Sequence, residues 1–331
     1  MADGADLDVV GVGNALVDVI SLESDEFLPA HDLVKGSMML VEADRAESLY
    51  GSMGPAVYAS GGSAANTLAG LASLGGRGGF VGRVRDDQLG AEFIHDIRAV
   101  GVEFDVAPAT DGAPTGRCLI VVTPDGERTM STLLGAASEL QPDDVDPAFV
   151  ARAQVTYLEG YLFDREAAGE AFVKAADAAH HAGRLVALTL SDSFCVERFQ
   201  LAFERLVADT VDILFGNEEE LRLLYEAPDV ETALAEAERR CDLVVCTRGP
   251  KGSTISNRGR RIDVPAEPVA RVVDTTGAGD LYAAGFLYGM THGQDLETSG
   301  KLGSIAAAEV ISHLGARPET ALAALANPHL S

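Results

Sequence analysis

The segment richest in chemical possibility is Asp274-Thr275-Thr276-Gly277-Ala278-Gly279-Asp280, followed by LYAAGFLYGM. Leu281, Ala284, Gly285 and Tyr288 recur at helical spacing, so the small residues sit where a loop winds into a helix. Glycine lets a ligand approach the backbone closely, and the first amides of a helix have no partner within it. Such a terminus binds anions, and its dipole favours developing negative charge. Asp280 closes the loop, either as a cap for the helix or as a carboxylate base beside that anion hole. Two other spacings stand at strand ends. Asn217-Glu218-Glu219-Glu220 puts Asn217 and Glu220 three apart on one turn, and Thr247-Arg248-Gly249-Pro250-Lys251-Gly252 reads as a tight Gly-rich turn.

Elements that could position these groups alternate along most of the chain. Apolar, β-branched runs at 8–13, 79–82, 154–158, 185–189, 211–214 and 243–247 read as strands. Between them lie amphipathic stretches, such as Leu89, Phe93, Ile94, Ile97 and Val100 on one face between Asp87 and Gly101. The pattern predicts an α/β fold, a mostly parallel sheet with helices on both faces, and ligands beyond the C-terminal strand ends. Two excursions, about 16–42 and 102–134, break the alternation. The first offers strands at 17–22 and 37–41 with no helix between. The second offers 102–106, 116–123 and 127–133, the last two joined by Pro124-Asp125-Gly126. Together they predict a small β-sheet lid on a single domain, 1–331, with no linker rich enough in Pro, Gly or Ser to divide it.

Composition narrows the partners. Of 331 residues, 25 are Lys or Arg and 51 are Asp or Glu, a net charge of −26. Such a surface repels phosphate backbones and anionic lipid, so neither nucleic acid nor membrane is expected as a partner. An anionic ligand must be held by local dipoles, metal and a few placed cations. No Lys or Arg precedes Lys35 and no 18 apolar residues run together, so neither a leader nor a membrane span is expected. Cys118, Cys195, Cys241 and Cys246 lack CxxC spacing and read as reduced thiols of a cytoplasmic protein. Gly11-Val12-Gly13 is followed by Leu16 where a dinucleotide fingerprint needs glycine, and there is no GxxxxGK[ST].

DTTGAGD with its apolar helix resembles the C-terminal signature of the ribokinase-like (PfkB) family of carbohydrate and nucleoside kinases. Gly61-Gly62-Ser63-Ala64-Ala65-Asn66, through GLASLGG and FVGRVRDDQLG, resembles the N-terminal signature. The resemblance covers nearly the whole chain in order, both excursions included, and implies the ribokinase-like three-layer domain. It implies that Asp280 is the general base and that Gly277, Ala278 and Gly279 offer amides to the transferring phosphoryl group. Asn217 and Glu220 match N-x-x-E, which organises the water shell of a magnesium–phosphate complex, so Glu220 would meet Mg2+ through water. Thr247, Gly249 and Gly252 match the ATP loop, and Arg128 a lid arginine that closes over the phosphates. Asp274 and Thr276 match residues that line a potassium site in some relatives. Arg85 departs from the pattern, which has glycine there, while Asp87 keeps its place.

The acceptor site follows from the same resemblance. Asp18 matches an aspartate that bonds substrate hydroxyls, with Asn14, Gly62 and Asn66 completing a ribose-reading set. GNALVD, LVKGSMMLVEADRAESLY and YASGGSAANT are similar to adenosine kinases more than to ribokinases or fructokinases. Met38, Met39, Leu40, Leu133 and Leu134 would give the lid an apolar face suited to a purine, on which Tyr161 could stack. The implied reaction is ATP-dependent phosphorylation of a primary hydroxyl, the 5′-OH of adenosine or, alternatively, a sugar. The chain would act as a monomer or homodimer.

Overall fold

In the computed structural model, which describes residues 4–164 and 166–330, fourteen strands form two sheets. In chain order they are β1 Leu7–Val12, β2 Leu16–Leu22, β3 Met38–Leu40, β4 Ala56–Gly61, β5 Gly78–Val81, β6 Glu103–Phe104 and β7 Gly116–Val122. The remainder are β8 Arg128–Leu133, β9 Ala153–Glu159, β10 Leu185–Thr189, β11 Ile213–Asn217, β12 Leu243–Thr247, β13 Ser253–Asn257 and β14 Arg260–Val264. The nine-stranded sheet has the order β14-β13-β12-β11-β10-β9-β1-β5-β6. It is parallel from β6 to β12 and antiparallel only at β13 and β14.

Its central strands are apolar on both faces because helices cover both. Val10, Val12, Leu158, Leu188, Leu214 and Val244 face the layer containing Glu166–His181, Ser193–Thr210 and Val230–Glu238. Val9, Val155, Tyr157, Phe215 and Val245 face the layer containing Ser63–Ser73, Gln88–Ala99 and Ala278–Thr291. This is the three-layer α/β architecture that the alternation of strands and helices predicts.

The second sheet has the order β3-β8-β7-β2-β4. Three details correct the sequence reading of the excursions. The stretch at 102–106 yields β6, which pairs with β5 in the main sheet rather than joining the small one. Its place is taken by β4, which pairs antiparallel with β2. A short helix, Phe27–Ala30, interrupts the segment between β2 and β3. The strand expected at 211–214 runs instead over Ile213–Asn217, which brings Asn217 to the strand end. Among the described residues no helix is long and apolar enough to cross a membrane.

Candidate active site

The loop before Ala278–Thr291 is shaped by Gly277, the helix cap, at φ 78°. A side chain there would be strained, and its Cβ would lie 2.8 Å from the Ala316 Cα. The amide of Ala278 turns back to the Thr275 carbonyl at 3.2 Å. Among the described residues no acceptor engages the amides of Gly277, Gly279 or Asp280. Free N–H groups are therefore present, though on a slightly different set of residues from the Gly277, Ala278 and Gly279 that the resemblance implies.

With Gly277 as cap, Asp280 falls within the first helical turn and its carboxylate points across to the Ser63–Ser73 helix. Ser63 Oγ donates to one oxygen at 2.6 Å and Asn66 Nδ2 to the other at 3.3 Å. Burial pushes its pKa up to about 6, against the pull of these two donors. A carboxylate poised there is charged at neutral pH and retains appreciable basicity. Of the two sequence alternatives, cap or base, the geometry removes the first.

Asp18 projects from β2, beside Cys118 of β7. Burial raises its pKa to about 6, with Arg128 and Arg317 opposing and the Asp280 charge adding. No protein donor reaches its carboxylate among the described residues, so its lone pairs face the crevice unmet. Asn14 is buried with Oδ1 unpartnered, while its Nδ2 donates to Glu159 at 2.8 Å. Gly62, at φ 98°, caps Ser63–Ser73, and a Cβ there would sit 2.1 Å from the Asn14 carbonyl oxygen.

At the other end, Asn217 caps Glu218–Leu224. Asn217 Oδ1 accepts from the amides of Glu219 and Glu220, while Glu220 accepts from the Asn217 amide at 2.9 Å and Nδ2 at 2.7 Å. Burial lifts the Glu220 pKa to about 7. Among the described residues no three His, Cys, Asp or Glu cluster as a cage for a metal. The lone Glu220 carboxylate keeps lone pairs beyond its two bonds and lines the crevice, which fits contact with a hydrated magnesium ion better than direct ligation. Thr247 and Gly249 line the same crevice. Gly252 does not: at φ 90° it turns the chain into β13, where a Cβ would strike the Val264 carbonyl. Arg248 and Lys251 both pair with Glu218.

The crevice joining these groups has a volume of about 770 Å³ and lies beyond the C-terminal ends of β1, β9, β10, β11 and β12, roofed by the small sheet. Strand alternation sorts the apolar residues of that roof. Met38, Leu40, Ile120, Met130 and Leu134 line the crevice with Tyr161. Met39 and Leu133 point the other way, into the core that the small sheet shares with one helix layer of the main sheet, which corrects their expected place. Among the lining residues Arg198 is the single Lys or Arg, against the carboxylates of Asp18, Glu159, Asp192, Glu220 and Asp280. An anionic nucleotide here depends on Mg2+ and backbone dipoles for its neutralisation.

Arg128 does not lie over the crevice. Its Nη1 pairs with Asp274 at 2.5 Å, and both side chains are 7% exposed. Asp274 also accepts from the Gly315 amide at 3.0 Å and from Thr276 at 2.7 and 2.9 Å. Burial alone would raise its pKa, yet these donors and Arg128 hold it below the ordinary range. A carboxylate so neutralised does not fit a potassium ion. Arg85 replaces the expected glycine without difficulty. Its Nη1 donates to the Gly112 carbonyl at 2.7 Å, while Asp87 caps Gln88–Ala99 and accepts from Thr115.

A phosphate-ready helix terminus with a raised carboxylate, at the rim of a parallel sheet, coincides with what comparison finds. Residues 34–321 match the model of the pfkB family carbohydrate kinases. The chain belongs to that family. The solved adenosine kinase of Sinorhizobium meliloti is 51% identical, with a TM-score of 0.92 over 98% of this chain and 100% of that one. A solved probable sugar kinase from Rhizobium etli CFN 42 is 49% identical, with a TM-score of 0.91 over 98% of each chain. The adenosine kinase of Saccharomyces cerevisiae is 28% identical over 329 residues, 93% of this chain and 95% of its own. As a pfkB kinase the chain is a phosphotransferase acting on an alcohol acceptor, with ATP and Mg2+.

Two crevice residues of this pfkB kinase, and a third beside the crevice, escaped the motifs. Glu159, at the end of β9, accepts from the Asn14 amide at 3.2 Å, Asn14 Nδ2 and the Ala64 amide at 2.8 Å, which ties β1 and the Ser63–Ser73 helix to one carboxylate. An acid closing an apolar strand on the ligand side was the available signal. Phe194, 53% exposed, lines the crevice from the start of Ser193–Thr210. Arg317 contacts Asn66 from a distant loop.

Four carboxylates carry a raised pKa: the half-buried Asp18 and Asp280 at about 6, the buried Glu159 and Glu220 at about 7. Between their unfolded values near 4 and these folded values, the native state holds more protons, so its stability falls as pH rises. The unliganded protein is expected to melt higher at pH 5.5 than at pH 8, by ~3 °C on the usual scale. Glu159→Gln is expected to flatten that slope. Calorimetry across the window checks both, and a Tm rising with pH would contradict the assignment.

Proposed function

We propose that the chain transfers the γ-phosphate of ATP to the 5′-hydroxyl of adenosine. Asp280 takes the hydroxyl proton as that oxygen attacks the γ-phosphorus. The new O–P bond forms as the bond to the β-phosphate oxygen breaks and ADP leaves. The free amides of Gly277, Gly279 and Asp280 meet the charge spread over the phosphoryl group, and Thr247 and Gly249 line the nucleotide's end of the crevice. Asn217 and Glu220 would order the water shell of the magnesium that ATP brings. Asp18, Asn14, Gly62 and Asn66 read the ribose, with Tyr161 and Phe194 available to the base. Arg128 enters as the tether between β8 and the Asp274 loop, in place of a direct contact with phosphate.

The observation that carries the reading is one crevice holding both a carboxylate beside free helix-terminal amides and, across from it, the unmet Asp18 carboxylate. The acceptor is assigned from the apolar roof. Met38, Leu40, Ile120, Met130 and Leu134 provide more apolar wall than a hydroxyl-covered sugar needs, and a purine face fits it. A sugar acceptor is the second reading, favoured by the likeness to the probable sugar kinase. ADP release over a panel of adenosine, other nucleosides, ribose and fructose decides between them. Adenosine is expected to lead; fast turnover of a free sugar with none of adenosine would overturn this reading.

Glu220 is tested through the metal. Glu220→Gln keeps the side-chain volume but removes a charge from the water shell, along with one of the two bonds from Asn217. The Mg2+ concentration for half-maximal rate is expected to rise ~10-fold with the acceptor KM unchanged. An unchanged Mg2+ requirement would remove Glu220 from that role.

A further inference from the structure

Arg317 belongs to none of the motifs. It follows Ala316, against which the Gly277 cap packs, and its Nε donates to Asn66 Oδ1 at 3.4 Å. Its Nη2 is buried without a partner. The other end of the same amide, Asn66 Nδ2, donates to Asp280. A guanidinium only donates, and a primary amide carries one oxygen and one nitrogen. Holding the oxygen at Arg317 therefore turns the nitrogen toward Asp280. Without Arg317 the amide is free to rotate, and its oxygen would then oppose the Asp280 carboxylate, acceptor against acceptor.

We infer that Arg317 is a positioning residue for phosphoryl transfer, acting through Asn66 to keep an N–H donor on Asp280. The inference rests on the reading of Asp280 as the base. Its reach is set by what else surrounds Asp280. The Ser63–Ser73 helix supplies Ser63 and Asn66, β2 supplies Asp18, β9 supplies Tyr157 and Glu159, and the turn after β9 supplies Tyr161. Of these, only Ser63 and Asn66 donate to its carboxylate. Losing one of two donors raises the pH at which the base becomes charged. Arg317 also faces Asp18 and Asp96, but Asp96 already accepts from the Ser60 amide at 3.2 Å.

The test is the pH dependence of kcat at saturating substrates for the wild type, Arg317→Met, Arg317→Lys, Asn66→Ala and the Asn66→Ala/Arg317→Met double variant. Arg317→Met is expected to lower kcat ~10-fold and to move the acid limb up by about one pH unit. Arg317→Lys is expected to restore most of both. In the Asn66→Ala background Arg317→Met is expected to change neither further, because the route has been removed. An unmoved acid limb in Arg317→Met, or effects of the two substitutions that multiply, overturns the inference. If Arg317→Met does not fold, Arg317→Gln, which keeps a donor without the charge, is expected to hold the acid limb near its wild-type position; a full shift in that variant likewise overturns it. Asp280→Asn measured alongside separates the two levels. Near-normal turnover in that variant defeats the base itself, whereas a dead Asp280→Asn with an unmoved Arg317→Met limb defeats only the positioning role.

Discussion

Asp280→Asn is expected to fold as the wild type does and to lose at least 10² in kcat. A positioned base contributes about 10²–10⁴, or ~3–5 kcal/mol of the barrier. The amide keeps the volume of the side chain and still accepts from Ser63; it gives up only the 3.3 Å bond from Asn66, so the Ala278–Thr291 helix is expected to keep its place. The acceptor KM should change little, because the lost interaction forms only as the proton moves. Stability should hold or rise at pH 8, since the substitution removes a carboxylate whose charge burial disfavours. For the wild type, turnover should fall below an acid limb near pH 6, where Asp280 takes up a proton. Steady-state rates with calorimetry on the same samples check all of this. A kcat within threefold of wild type in a folded Asp280→Asn would remove the base from the mechanism.

Asp18→Ala should act on recognition. The Asp18 carboxylate has no protein donor among the described residues, so its lone pairs are free for a substrate hydroxyl. A site built to pair hydroxyls rejects an analogue lacking them because its polar groups are left unmet. With Asp18→Ala, kcat/KM for adenosine is expected to fall on the order of 10³. The wild type should discriminate against 2′-deoxy- and 3′-deoxyadenosine, and the variant should have lost most of that preference. Removal of a half-buried like charge from the neighbourhood of Asp280 should leave Tm unchanged or higher at pH 8. A variant that still prefers adenosine over the deoxy analogues by the wild-type factor would show that Asp18 does not read the ribose.

What could be read from the chain beforehand was whatever is local. Asp274–Asp280 and Asn217–Glu220 each place their chemistry within one turn, so spacing alone identifies a helix entry, and both segments take that form. Strands β10 and β12 fall on their expected residues because uninterrupted β-branched runs end in clear breakers. The strand β4 was hidden in a stretch rich in Ala, Ser and Gly whose pairing partner, β2, supplies the strand character that its own residues lack. Residues 102–106 read correctly as extended, but nothing in two paired residues of β6 says which sheet will take them. The alternation that separates Met38 and Leu40 from Met39 was visible. Which face would meet the crevice was a property of the packed sheet.

Long-range polar contacts were the least accessible. Arg317 lies 251 residues from Asn66, and Glu159 lies 145 from Asn14, so neither pair leaves a mark in any window of sequence. Arg128 shows the complementary case. The resemblance marked it out, yet its partner Asp274, 146 residues away, turns it from the crevice toward the loop that shapes the anion hole.

The most direct measurement is a crystal structure of the protein with adenosine and an ATP analogue whose β–γ bridge resists transfer. The 5′-oxygen is expected within ~2.6–3.2 Å of the Asp280 carboxylate and in line with the γ-phosphorus. The γ-phosphate is expected against the amides of Gly277, Gly279 and Asp280, and the ribose hydroxyls on Asp18. A bound pair with the 5′-oxygen turned away from Asp280, or phosphates seated elsewhere than that helix terminus, would contradict this mechanism.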